Sequence, residues 1–229
     1  LADECAERGV SCDFQRRVSD VTSLAGGYRT VRFADGQVTK ARVVIDAAGV
    51  SSPFGKQEGI SWEAYDREAA YFALAENVEH TPDTVHLYVS SELAPGGYAW
   101  MFPSRGERVN IGVLVGRKHR ADVNIRSLLE TFMARHFPGA KVCGYQAGMI
   151  ACGYRRTTIA ANGLIKAGDA ANTTNPISRA GIVEAMVCGG LAGEYAVMML
   201  EARSPAAINR LCSRYEHAWH KRMGRRHEK

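Results

Sequence analysis

The stretch Gly163-Leu-Ile-Lys-Ala-Gly-Asp-Ala-Ala-Asn-Thr-Thr-Asn-Pro-Ile-Ser-Arg-Ala-Gly181, with the apolar run Ile182 to Leu200 behind it, restricts the fold more than any other part of the chain. Leu164, Ile165 and Ala167 read as a short buried strand. The loop that follows is rich in Gly, Asp, Asn, Thr and Pro. Ile182 to Leu200 holds no Pro and many small residues, the pattern of a long helix that needs tertiary cover. Such a βα junction turns the free N–H groups and the positive dipole end of its helix towards whatever lies in the loop. Asp169 is unsuited to a phosphate, because like charges repel. A carboxylate at a strand end accepts hydrogen bonds from sugar or polyol hydroxyls instead. Gly168 and Gly181 permit close backbone approach.

Upstream, Leu1 to Arg8 reads as the last turns of a helix with Gly9 at its C′ position. Val10 to Leu24, Tyr28 to Phe33 and Val38 to Asp46 read as strands separated by Gly26-Gly27 and Asp35-Gly36. Asp46-Ala-Ala-Gly-Val-Ser-Ser-Pro53 is a turn into a helix, with Ser51 or Ser52 as N-cap and Pro53 at the first helical position. Ser61 to Asn77 shifts in composition, with Trp62, Tyr65, Tyr71 and Phe72 among acids. Strands are expected at Tyr71 to Ala75, Thr84 to Ser90, Tyr98 to Pro103 and Val109 to Val115, divided by Pro82, Pro95-Gly96-Gly97 and Arg105-Gly106. Consecutive strands inserted between α/β segments predict a second, antiparallel domain with one face open to a ligand. Tyr98, Trp100 and Phe102 are spaced by two, so they share a face and form an aromatic wall for a flat ring or a long apolar chain. Asp122 to His136 is a helix ended by Pro138-Gly139. Lys141 to Ile159 is expected to return as strands, Gly189, Gly190, Ala192 and Gly193 to pack closely on a sheet, and Ser204-Pro205 to open a last helix to His220.

Composition excludes some classes. The chain has 229 residues, enough for one large domain or two small ones. Net charge is +5, yet from Arg203 onward eight Lys or Arg stand against two Glu, so the remainder is close to neutral. Charge gathered in a tail argues against nucleic-acid binding. The tail reads most simply as a solvated basic end, and the rival reading is attraction to anionic lipid headgroups, hence a peripheral membrane contact. Of the six cysteines none forms a C-x-x-C pair, and scattered cysteines point to free buried thiols and a cytoplasmic setting. His217 and His220 lack a third ligand, so no metal site is expected.

Gly168-Asp169-Ala170-Ala171, followed by Asn175-Pro176 and Gly181, resembles the second flavin-binding motif of the FAD-dependent group that holds the p-hydroxybenzoate hydroxylase-like flavoproteins and the geranylgeranyl reductases. The resemblance implies FAD as cofactor, bound by Gly168, Asp169, Ala170, Pro176, Gly181 and Ile182. In it Asp169 meets the ribityl chain, and the helix end near Gly181 and Ile182 faces the pyrimidine side of the ring. The run at Asp46 to Pro53 is similar to another fingerprint of the group, in which Asp precedes the Gly. Here Ala48 takes that place, so only Gly49 is carried over as cofactor-binding, with Asp46 behind it. Tyr98-Ala-Trp-Met-Phe-Pro103 resembles a run typical of the geranylgeranyl reductase branch, which implies Tyr98, Trp100, Phe102 and Pro103 at the substrate cavity. Arg179 stands where the group often has small residues.

The implied fold is α/β (α+β overall): a partial FAD-binding Rossmann-like domain at 1–60 and 146–202, an inserted antiparallel-sheet substrate domain at 61–145, and a basic C-terminal helix at 203–229. The implied activity is reduction of isolated double bonds in a geranylgeranyl or polyprenyl lipid or a chlorophyll-tail precursor, with NAD(P)H or ferredoxin as electron donor. No residue is assigned as proton donor. No G-x-G-x-x-G occurs, so the chain is expected to be a fragment that needs a missing N-terminal segment or partner chain, and to bind FAD weakly or not at all alone. The rival readings are a flavin-dependent monooxygenase or halogenase of the same fold and a non-catalytic truncated remnant.

Overall fold

A computed structural model of the chain describes residues 2–24, 27–60, 67–104, 106–152 and 157–224. Gly26, Trp62, Tyr65, Arg105 and the basic tail from 225, all singled out above, lie outside the described residues. In chain order the elements are α1 (Ala2–Glu7), β1 (Val18–Leu24), β2 (Tyr28–Phe33), β3 (Val38–Ala41), β4 (Val44–Asp46), β5 (Arg67–Glu76), β6 (His86–Tyr88), β7 (Tyr98–Pro103), β8 (Val109–Val115), α2 (Ile125–His136), β9 (Lys141–Ala151), β10 (Ala160–Ala161), β11 (Leu164–Lys166), α3 (Ile182–Glu201) and α4 (Pro205–Trp219). Short 3-10 turns sit at Lys56–Glu58 and Gly168–Ala171, and a π-turn at His220–Gly224. The chain divides into a first unit, Leu1–Trp62, Thr157–Ala171 and Val187–Arg225, and a second, Glu63–Arg156, Asn172–Met186 and Arg226–Lys229.

The first unit holds two three-stranded sheets. One is the antiparallel meander β1-β2-β3, the other has the order β10-β11-β4. In the latter, β11 and β4 run parallel, with Leu164 opposite Val44, Ile165 opposite Ile45 and Lys166 opposite Asp46. The single strand expected from Val38 to Asp46 is therefore two strands in two sheets. It breaks at Arg42, whose guanidinium donates to the carbonyls of Leu200 at 2.6 Å and Ala202 at 2.8 Å, satisfying orphan acceptors at the end of α3. β1 is shorter than expected, since strand pairing begins only at Val18. The core joins Ile165, Ala167 and Ala171 to Cys188, Leu191, Ala192 and Met199 of α3 and to Ile208, Cys212, Tyr215 and Trp219 of α4. The Ser204 hydroxyl caps α4, accepting from the Ala207 N–H at 3.2 Å. By length and hydropathy alone α3 could cross a bilayer, with a mean hydropathy of 1.4; its buried face docks instead in this core. Gly189, Gly190 and Gly193 do not provide that contact, because a Cβ at any of them meets nothing within 4 Å.

The second unit is built on one antiparallel sheet of five strands, ordered β6-β7-β8-β5-β9. α2 covers one face, burying Leu129, Phe132 and Met133 against Ala73, Ala99, Met101 and Ile111. Asn124 sets its start, its side-chain oxygen accepting from the N–H groups of Arg126 and Ser127. β9 pairs with β5 along its whole length, from Arg67 opposite Ala151 to Glu76 opposite Lys141. The division placed between 145 and 146 thus falls inside a strand, and Lys141 to Ala151 belongs to the sheet.

Candidate functional site

In the first unit the parallel pair brings two strand ends to the same edge. Asp46 and Lys166, side by side at those ends, are both buried. The Lys166 Nζ lies 3.6 Å from Asp46 Oδ2 and donates to the Ser52 carbonyl at 3.3 Å. The Asp46 carboxylate also accepts the Ala48 N–H at 3.0 Å and, through a short bond, the Ser52 hydroxyl. One carboxylate thus shapes the whole turn from 46 to 52, with Gly49 at its bend at φ 80°. Burial pulls the Lys166 ammonium below the ordinary lysine range, and Asp46 opposes that shift.

The helix expected from Pro53 does not form. The Ser52 hydroxyl donates to Asp46 and still accepts the Phe54 N–H at a long 3.5 Å, but no α-helical turn follows it. Gly55 and Gly59, at φ 83° and 73°, fold the chain back through the 3-10 turn. A Cβ on Gly55 would come within 2.8 Å of Ile60, so that bend admits only glycine.

At the end of β11, Gly168 is buried at φ 61°. Ala170 and Ala171 are buried after it, and Asp169 is half-buried. The turn rests on a polar support: the Tyr215 hydroxyl donates to the Lys166 carbonyl at 2.7 Å and lies 3.0 Å from Cys188 Sγ. Burial pushes that phenol far up and raises that thiol as well.

In the second unit Tyr98, Trp100 and Phe102 do share the face opposite α2, clustered with Ala70, Phe72, Leu114 and Ile150. Trp100 and Phe102 stack at 5.8 Å between centroids and 26° between planes. Tyr98 meets Trp100 edge-on at 6.0 Å. The Trp100 N–H donates to Asn110 Oδ1 at 2.8 Å, and its ring lies flat on Gly112, where a Cβ would fall 2.2 Å from Cζ2. Trp100 is buried; Phe72, Tyr98, Phe102 and Pro103 are half-buried. Beside them β9 contributes Gly144, Gln146 and Gly148, all exposed, so the row of rings borders a low shelf.

The segment 172–186 belongs to the same unit. Asn175 folds it into a tight loop: its side-chain oxygen accepts the N–H groups of Ile177 and Ser178 at 2.9 Å each, and its own N–H bonds to the Ala180 carbonyl. Pro176, half-buried, sits inside this loop. Arg179 adopts φ 58°, which is costly for a residue with a side chain. Its fork offsets that cost, with two 2.8 Å bonds to the buried carboxylate of Glu68 and further bonds to the carbonyls of Ile177 and Gly96. The Tyr98 hydroxyl donates to the Ser178 carbonyl at 3.2 Å. Burial, together with Glu68, pushes the Cys152 thiol up. Gly181 starts α3 by accepting the Ala185 N–H at 2.8 Å, and Ile182 is 80% exposed. Thr173 Oγ1 and Glu184 Oε2 are buried with no hydrogen-bond partner.

Sequence reasoning missed the Glu68–Arg179 clamp, the Asp46–Lys166 pair and the two orphaned polar atoms. A lysine inside an otherwise apolar strand was the one signal for the second. Three of the six thiols, Cys5, Cys12 and Cys143, are exposed and not buried as expected.

A family model described as the geranylgeranyl reductase catalytic domain matches residues 66–150, the five-stranded sheet. Digeranylgeranylglycerophospholipid reductase 2 of Methanococcoides burtonii is 32% identical over 98% of this chain and 56% of its own length. Digeranylgeranylglycerophospholipid reductase 2 of Methanothermobacter thermautotrophicus is also 32% identical, over 100% of this chain and 60% of its own length. The chain therefore spans a little over half the length of these curated relatives. A crystal structure of a geranylgeranyl bacteriochlorophyll reductase-like protein from Thermoplasma acidophilum superposes with a TM-score of 0.87 at 25% identity, covering 99% of this chain and 59% of that one. A flavin-dependent halogenase, with a TM-score of 0.75 at 18% identity, covers 99% of this chain and 43% of that one, and shares the fold. In its α/β architecture with a sheet domain and in these relatives, the chain is similar to the geranylgeranyl reductase family, whose catalytic-domain model matches its sheet.

Proposed function

We propose that the chain is the flavin-facing and substrate-facing part of an FAD-dependent reductase that saturates isolated double bonds in a geranylgeranyl or longer polyprenyl chain carried on a lipid. The observation that carries this reading is the row Tyr98, Trp100 and Phe102 with Phe72, set on the sheet that the catalytic-domain family model matches. A wall of stacked rings beside a glycine shelf suits a long, thin apolar chain.

The residues present fit an FAD. Gly49 and Gly168 are both in left-handed conformations, and a Cβ at Gly49 would meet nothing, so the backbone there is open to close approach. Asp169 and Ala170 follow in a turn suited to polyol hydroxyls. In the second unit, Pro176, Gly181 and Ile182 lead into a helix N-terminus that favours electron-rich atoms. The buried Thr173 Oγ1 and Glu184 Oε2 lack partners, and a ring system bearing N–H groups is of the kind that satisfies them. Bound and reduced, the flavin supplies hydride chemistry. This chain's own residues hold the polyol at Asp169, align the prenyl chain along Tyr98, Trp100, Phe102 and Pro103, and keep water from the alkene. NAD(P)H or ferredoxin is the proposed source of electrons, and the cytoplasmic side of a membrane the proposed setting.

The test is an anaerobic turnover of a digeranylgeranyl glycerophospholipid by the chain with chemically reduced FAD in excess, read by mass spectrometry. The expected product gains two hydrogens for each double bond consumed, and Asp169→Ala lowers FAD affinity by roughly tenfold, one charge-assisted bond's worth. Gain of an oxygen atom in place of hydrogen would refute the reading.

A further inference from the structure

The last helix of the first unit carries a face that the reductase reading leaves unused. α4 buries Ile208, Cys212, Tyr215 and Trp219, steps of four, three and four that follow one side of a helix. Arg210, Arg214, His217 and Lys221 repeat those steps two positions later, about 200° around the axis, and all four are exposed. The row, with its cations at Arg210, Arg214 and Lys221, is about 16 Å long at 1.5 Å per residue. Arg203 and Arg222, also exposed, stand at its two ends. Beside it runs an open groove with Met198, Ala202, Ala207 and Leu211 for its floor, Arg210 and Arg214 on its lip, and Glu201 as its one carboxylate. Val197 and Leu200, 59% and 48% exposed, extend the apolar surface at the end of α3. Among the described residues no ion pair engages Arg210 or Arg214.

We propose that this face of α4, with the end of α3, docks on an anionic lipid bilayer. The guanidinium and ammonium groups meet headgroup phosphates, while Met198, Val197 and Leu200 enter the boundary between headgroups and acyl chains. A long cationic row with a single carboxylate beside it, flanked by exposed apolar side chains, matches a continuous negative surface with hydrocarbon beneath. A folded protein partner would meet the row with discrete carboxylates, and a nucleic acid would have no use for the apolar flank. The docking needs neither cofactor nor turnover, so it stands or falls separately from the reductase reading.

Flotation of the full chain with phosphatidylcholine vesicles, with and without phosphatidylglycerol, tests it. Binding is expected only with the anionic lipid and is expected to vanish near 1 M salt, where charges are screened within about 3 Å. Arg210→Gln with Arg214→Gln weakens the partition about 30-fold, from roughly fivefold per cation. Met198→Glu weakens it too, with unchanged circular dichroism. Arg126→Gln with Arg135→Gln, an equal loss of charge on α2, leaves it unchanged. No binding to anionic vesicles, an equal loss in the α2 control, or a DNA duplex held as tightly and released by the same double variant would each overturn the proposal.

Discussion

Replacing Gly112 by alanine tests the aromatic face at its most constrained point. The new Cβ would stand 2.2 Å from Trp100 Cζ2 and 2.6 Å from Cε2 and Cη2, whereas carbons rest at about 3.5–4.0 Å. The indole must therefore lift off β8 by more than about 1 Å. Overpacking of this kind costs about 1–3 kcal/mol. The displaced ring also gives up its bond to Asn110, about 1 kcal/mol, and part of its stacking on Phe102, about 0.5 kcal/mol. The sum is about 2.5–4.5 kcal/mol. A chain of this size loses roughly 2–4 °C of melting temperature per kcal/mol, so a fall of about 10 °C is expected. Thermal unfolding followed by circular dichroism, with urea titration of Trp fluorescence beside it, measures this. Gly148→Ala is the partner measurement: it lies on β9 of the same sheet, where a Cβ meets nothing within 4 Å, and should be neutral or slightly stabilising. Adding Trp100→Leu to Gly112→Ala should recover part of the loss. If the two alanine variants melt within about 1 °C of each other, Trp100 does not lie on β8 and the aromatic row is not built as described.

Glu68→Gln leaves the Arg179 fork without its buried charge partner and is expected to cost about 3 kcal/mol in urea titrations, while Glu92→Gln, which breaks the exposed pair with Arg135, should leave the urea midpoint unchanged. Lys166→Met strands the buried Asp46 carboxylate and should cost about 3 kcal/mol at neutral pH. The same variant carries a pH signature. Burial lowers the Lys166 pKa in the folded chain, so the unfolded chain binds the extra proton, and stability from this group rises with pH up to the ordinary lysine value of about 10.4. The difference in unfolding free energy between wild type and Lys166→Met should widen over that window in alkaline urea titrations, and a constant difference would contradict the buried assignment. A thiol reagent should modify Cys5, Cys12 and Cys143 quickly and reach Cys152, Cys188 and Cys212 only after denaturant is added.

What was legible in the sequence was one-sided periodicity. Tyr98–Pro103 and Val109–Val115 were found to the residue because each strand has its own pattern of rings, glycine and branched residues, and a sheet covered by a helix on one face preserves it. Leu164–Lys166 and the start of α3 at Ile182 were legible for a similar reason, a short apolar run closed by glycine and a long one without proline. What escaped depends on residues far apart in the chain. Glu68 and Arg179 are paired across 111 positions, and neither looks unusual in its own neighbourhood. Arg179 gives no local hint of φ 58°, since its clamp and not its side-chain type enforces that backbone. The break between β3 and β4 arises because Arg42 is drawn to the end of α3, which no alternation of Val and Lys records. Ser52 looked like a helix cap, and it does accept the Phe54 N–H; what ends the run is the left-handed backbone of Gly55 and Gly59, which no residue before them signals.

The parallel pairing of β4 with β11 has a consequence for how the chain is made. More than a hundred residues separate Asp46 from Leu164. At roughly 5–20 residues per second, a ribosome leaves the earlier strand waiting on the order of ten seconds for its neighbour. In that interval the strands of the second unit from Arg67 to Ala151 have all been synthesised, and their sheet can close first. The nascent first unit meanwhile exposes an unsatisfied backbone edge at Val44–Asp46, the place where a chaperone or a neighbouring nascent chain would find it.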